Sequence, residues 1–287
     1  MSNNLTNSNI CSRLVNVSLR MSVLVLKFLF IFLAAKYWSP EQLGQYGLAA
    51  TIVAYCGYII GLDFYAKTQR HFLGATFEKR SETISHHSFL VIFSFALLVP
   101  CLILYFDAQF NTGLIVLVCL LVLFEQLNAE VSRLLVLKNQ QLLVSSLLFL
   151  RHGGFSITFV VAIILKLILD VSNILQLWLI CSCFSACVSS WYLKKLVSFK
   201  VSLYQINIDT LKCQLKTAMV FFAGTIVLRG LFSFDKFLVG DLISLDMLGV
   251  YTFYIGLSAA IIALYDAAVG VYILPAIFRF KESFSRK

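Results

Sequence analysis

Apolar residues in this chain are gathered into runs of about 20, and these runs constrain the fold more than any other feature. A helix of that length spans about 30 Å of hydrocarbon at roughly 1.5 Å per residue, whereas core helices of soluble proteins are seldom apolar for so long. Runs such as Leu114 to Phe124 do not alternate apolar with polar, so they do not read as strands of a β-barrel. The composition agrees: 60% of residues are hydrophobic and 13% charged, with a mean hydropathy of +0.89, far from the soluble range. The sequence therefore predicts an all-α integral membrane protein.

Eight transmembrane helices are predicted, over Leu14 to Lys36, Leu43 to Leu62, Phe89 to Tyr105, Gly113 to Glu130, Ser145 to Leu165, Val171 to Leu193, Thr217 to Gly240 and Leu248 to Leu274, with a basic tail after them. Basic residues then fall on one side, among them Arg13, Lys67, Lys79, Arg133, Lys138, Arg151, Lys194, Lys212 and Arg279, while the other side keeps only Lys36 and Lys166. By the positive-inside rule both termini are expected in the cytoplasm. The polar first residues carry no charge, and the following apolar run is longer than a signal-peptide core, so it is expected to stay as the first span.

Several function classes are disfavoured. The net charge of +9 has no long polar segment to carry a nucleic-acid surface, so no nucleic acid is expected as a partner. The outward loops are short and offer little beyond Glu41, Asp107, Asp170, Asp241 and Asp246, and no His-Glu-x-x-His, Gly-x-Ser-x-Gly or P-loop pattern is present. An enzyme is not expected, and no catalytic residue, metal ligand or cofactor is assigned. The eight cysteines lie mostly in apolar runs without zinc or redox spacing, and read as small apolar residues. His71, His86, His87 and His152 are placed in or beside basic cytoplasmic loops and given no role.

An internal repeat is visible. Arg20 and Lys27 in the first span match Arg229 and Lys236 in the seventh, each pair seven apart and followed by Phe-Leu; then Leu43-Gly44-Gln45-Tyr46 matches Leu248-Gly249-Val250-Tyr251. A period of six helices implies two parallel halves about an axis along the membrane normal. Residues seven apart return to within about 20° of one helix face, so Arg20 with Lys27, and Arg229 with Lys236, are each expected to form a basic stripe lining a central cavity. The plainer reading is that Arg20 snorkels to the surface and Lys236 pairs with Asp235 or Asp241. Glu125 is the deepest carboxylate of the most polar span, and is expected to pair with Arg20 or Lys27 or to carry a coupling proton. Asp63 and Asp266 are the other expected counter-ions or ion-coupling groups.

Four stretches resemble the polysaccharide biosynthesis (Wzx-type, O-antigen flippase) family of the multidrug/oligosaccharidyl-lipid/polysaccharide exporter superfamily: Lys27 to Tyr46 with its Trp-Ser39-Pro40-Glu41, Gly61 to Tyr65, Glu125 to Leu135 followed by Leu147 to Arg151, and Asp235 to Gly240 with Leu248 to Tyr251. The resemblance implies translocation of undecaprenyl-pyrophosphate-linked oligosaccharide units across a bacterial cytoplasmic membrane, a cationic lumen suited to the pyrophosphate, and membrane lipids and the lipid-linked oligosaccharide as partners. It also implies a six-helix bundle over residues 1–196, a basic cytoplasmic linker over 197–216, and the first two helices of an incomplete second bundle over 217–287. Such a chain is expected to be truncated, or to complete its cavity by assembly of two chains, with a C-terminal fragment or the polysaccharide polymerase machinery as further expected partners. The competing expectations are a drug or metabolite exporter of the same superfamily and a non-transporting remnant.

Overall fold

A computed structural model describes residues 2–60, 62, 76–106, 111–167, 169–197 and 208–265. Every regular element among them is a helix: α1 (Ser2–Tyr37), α2 (Pro40–Ile59), α3 (Phe77–Phe106), α4 (Thr112–Leu137), α5 (Gln141–Leu148), a π-turn (Phe149–Gly153), α6 (Gly154–Ile164), α7 (Val171–Leu196), α8 (Ile208–Leu231), α9 (Phe234–Leu242) and α10 (Leu245–Tyr265). Five segments are long and apolar enough to cross a membrane, six if the bent pair α8 and α9 is one span, and the chain is an all-α, multi-pass membrane protein.

Eight such spans were expected from the sequence, and two helices account for most of the difference. Helix α2 has the length but carries Glu41, Gln42, Gln45 and several small residues; ten of its residues are buried by neighbouring helices, so its surface need not be uniformly lipid-like. The apolar part of α10 is short, and the end of the expected eighth span lies outside the described residues.

Local chemistry sets the helix starts. Ser39 accepts the Gln42 N–H at 3.2 Å and the Gln42 side chain accepts the Ser39 N–H at 3.1 Å, with Pro40 in the first turn, where its missing donor costs nothing. Asn111 caps α4 by accepting from Leu114 N at 2.9 Å. Removing the first cap with Ser39→Ala is expected to cost about 1 kcal/mol, seen as a small drop in melting temperature of the detergent-solubilised protein. An unchanged melting temperature would show that α2 is held by packing alone.

The main core is aromatic and aliphatic. Phe30 of α1 packs against Trp38, Tyr46, Phe155 and Phe159 with ring centroids 4.9 to 5.8 Å apart. Trp38 also donates to the Leu169 carbonyl at 2.8 Å, which ties the α1–α2 turn to the α6–α7 turn at one end of the bundle.

The closest helix pair is α2 with α10. A Cβ added at Gly44 would stand 2.0 Å from the Leu245 carbonyl oxygen, and one at Gly249 would stand 1.9 Å from the Pro40 carbonyl oxygen. Three residues on, a Cβ at Gly47 would stand 2.2 Å from Thr252 Oγ1. The contacts ascend together along both helices, so α2 and α10 run parallel, and the two Leu-Gly-x-Tyr copies lie against each other in matching register. Backbones this close need glycine, with the Cα hydrogen directed at the facing carbonyl.

Candidate functional site

Helix α4 concentrates polar residues where an apolar span would have none. Its Glu125, Gln126, Asn128 and Glu130 each find partners, as polar groups buried among helices must. Asn128 donates to the carbonyls of Phe124 and Ser182, both at 2.8 Å, and accepts from Ser185 Oγ at 2.7 Å, which fixes α4 against α7. Gln126 donates to the Ile60 carbonyl at 3.2 Å and to Glu130 at 2.6 Å. Glu130 also meets Arg133 Nη1 at 2.7 Å and His87 Nε2 at 2.8 Å, joining α3 to α4.

Glu125 is the centre of a second, deeper cluster. Its Oε1 accepts from Trp178 Nε1 at 2.8 Å and from Ser182 Oγ at 2.7 Å, both on α7. Its Oε2 faces Arg151 Nη1 at 3.3 Å and His152 Nε2 at 3.9 Å. Both of these partners come from the π-turn Phe149–Gly153, which interrupts an otherwise α-helical span. A π-turn holds one extra residue, re-aims the side chains that follow, and occurs often at functional sites. Two glycines give it room: a Cβ at Gly153 would stand 3.2 Å from Leu26 of α1, and one at Gly154 would stand 3.1 Å from Cys181 Sγ of α7.

Lys27 completes the arrangement from α1, within electrostatic range of Glu125, Arg151 and His152. It lies on a groove between α1 and α10 of about 370 Å³, whose other walls include Leu24, Phe28, Ile31, Leu257 and Ile261. The groove is apolar apart from Lys27, which is exposed to it. A cation at an apolar wall requires a counter-ion or water, because burying an unpaired charge is expensive.

The structure separates several groups that the sequence joins. Arg20 shares a helix with Lys27, but its Nε donates to Ser145 Oγ at 3.0 Å, and Ser145 in turn donates to Asn16. Glu125 therefore pairs with neither Arg20 nor, at ion-pair distance, Lys27; its near partner is Arg151. The sequence alone places Arg151 among the cytoplasmic basic residues and gives His152 no role. Helix α5 begins at Gln141, so Arg151 lies roughly three turns into the span. Likewise His86 is fully buried and His87 meets Glu130, because α3 begins at Phe77 and encloses both.

Arg229 and Lys236 do not form one stripe. The chain breaks between α8 and α9 with a bend of 48°, so seven-residue spacing no longer returns to the same face. Arg229 lies over the Tyr58 ring, 4.8 Å from its centroid. Lys236 sits beyond the break next to Asp235, whose carboxylate accepts the Lys236 backbone N–H at 2.8 Å and the Tyr251 hydroxyl. Asp63 and Asp266 lie outside the described residues. Among the described residues no three His, Cys, Asp or Glu side chains gather as a metal site.

The local signal for the missed pair was present in the sequence: Arg151-His152-Gly153-Gly154 puts two titratable residues and two glycines inside an apolar run. Comparison with known proteins adds nothing to this geometry, since no protein-family model, curated protein or solved structure matches the chain.

Proposed function

We propose that this chain moves an anionic, lipid-linked substrate across the membrane, of the lipid-pyrophosphate-linked oligosaccharide class handled by polysaccharide flippases. The observation that carries the reading is Lys27, a cation on an otherwise apolar groove between α1 and α10. A substrate with a long hydrocarbon chain and a phosphate at its end supplies what such a groove lacks, with the chain on the apolar walls and the negative charge at the amine.

Two features support transport over a purely structural role. The Lys27, Arg151, His152 and Glu125 cluster places charge within the helix bundle, where ionisable residues commonly mark ion or substrate paths. The broken helix α8–α9 is a second, since interrupted spans recur at transporter binding sites. The basic asymmetry of the loops, taken over the eight expected spans, supports both termini on the cytoplasmic side, and the flippase reading makes that membrane a bacterial cytoplasmic one.

The test is to delete the gene in its host, restore only this reading frame, confirm membrane insertion and measure surface polysaccharide by labelling intact cells. Restoration by the wild-type chain is expected, with Lys27→Ala reducing the signal about tenfold or more and Lys27→Arg retaining most of it. Full polysaccharide in the deletion strain, or in Lys27→Ala, would overturn the proposal.

A further inference from the structure

The charges around Glu125 do not balance. Among the described residues two basic side chains, Arg151 within the bundle and Lys27 at the groove, face this one carboxylate, with His152 beside them. With both protonated, the cluster holds one more positive than negative charge, and an ion without a partner is costly away from water.

Hydrogen bonding shows which donors are unused. The guanidinium of Arg151 carries five N–H donors, and Glu125 meets only Nη1, at 3.3 Å. Its Nε is buried and makes no hydrogen bond. The edge formed by Nε and Nη2 is the one that grips a phosphate with two parallel hydrogen bonds. The Glu125 carboxylate, by contrast, is fixed on its other oxygen by Trp178 and Ser182. The side chain free to change partner is therefore the arginine.

We infer that Arg151 is an anion-binding residue whose unused guanidinium edge takes a phosphate group arriving past Lys27, with Glu125 acting as its place-holding counter-ion when the site is empty. The π-turn presents Arg151 at this point, and the phosphate brings the negative charge that the cluster lacks. This assignment rests on the transport reading above for the source of the phosphate, but its chemistry can be tested by itself.

The purified full chain in detergent is titrated calorimetrically with farnesyl pyrophosphate as the probe and farnesol as the uncharged control. Wild-type protein is expected to bind the pyrophosphate much more tightly than the alcohol. Arg151→Gln should weaken pyrophosphate binding about tenfold or more, the loss of a charge-assisted hydrogen-bond pair, and Arg151→Lys should weaken it as well because the fork is gone. Glu125→Gln should strengthen binding several-fold, since the amide still accepts from Trp178 while the competing charge is removed. Wild-type affinity in a folded Arg151→Gln or Arg151→Lys protein overturns the assignment, and so does unchanged or weaker binding in folded Glu125→Gln. If Lys27→Ala alone abolishes binding, Arg151 is refuted and the transport reading stands. If binding depends on Arg151 but surface polysaccharide is normal without the gene, the site stands and the transport reading falls.

Discussion

Alanine at position 249 or 44 is expected to pull apart the closest helix pair in the protein and to lower its melting temperature by on the order of 10 °C in detergent. A new Cβ would lie 1.9 Å from the Pro40 oxygen in the first case and 2.0 Å from the Leu245 oxygen in the second. Both obstacles are backbone atoms of the facing helix, which cannot turn aside as a side chain can, so the helices must separate. Ordinary overpacking costs about 1 to 3 kcal/mol, and a backbone-on-backbone clash belongs at or above the top of that range. The control is Gly224→Ala: a Cβ there meets nothing within 4 Å, and alanine is the better helix former, so no loss is expected. Melting of all three variants within a degree or two of wild type would mean that the α2–α10 crossing is not tightly packed in the protein.

The second large effect is at Glu125. Truncation to alanine leaves Arg151 and Lys27 facing no carboxylate and removes the acceptor for Trp178 Nε1 and Ser182 Oγ at once. Breaking a buried ion pair from one side costs about 3 to 5 kcal/mol, and this largely buried pair should approach that range because the remaining charge stays mostly desolvated. The double variant Glu125→Ala with Arg151→Ala is expected to be more stable than the sum of the single losses predicts, by roughly 0.5 to 3 kcal/mol of coupling. Thermal or denaturant unfolding of the four proteins measures this directly. Strictly additive losses would show that the two side chains do not share an interaction, despite their 3.3 Å approach.

These two sites differ in how far the sequence reveals them. The Leu43-Gly44-Gln45-Tyr46 and Leu248-Gly249-Val250-Tyr251 copies are visible as text, but the text does not say that the copies touch. That follows from both helices starting at the same end of the bundle and meeting where neither has a side chain in the way. For Glu125 the sequence offers Arg20 or Lys27 as the partner, whereas the cation at ion-pair distance in the structure is Arg151. Helical periodicity relates residues on one helix, and it selected Arg20 and Lys27 because their spacing was regular. Arg151 has no such regularity, since a π-turn shifts the register in front of it and the partner lies on a different helix.

The seventh predicted span shows the converse failure. Arg229 and Lys236 keep the spacing of the first span, yet the turn at Phe232 and Ser233 redirects the chain by 48° and sends them to different surroundings, Tyr58 for one and Asp235 for the other. Gly230 opens this turn by accepting the Ser233 N–H at 2.9 Å, but one glycine within an apolar run is a weak break signal.

What the sequence determined by itself is the solvent and the element type. Long apolar runs that do not alternate satisfy their backbone hydrogen bonds in a bilayer as helices, and that holds whatever the neighbours are. What only the tertiary structure decided is which charges meet. Long-range pairs such as Glu125 with Arg151, and the glycine contact of α2 with α10, depend on helix rotation, breaks and register, which are fixed by packing across the bundle and not by any pattern along one segment.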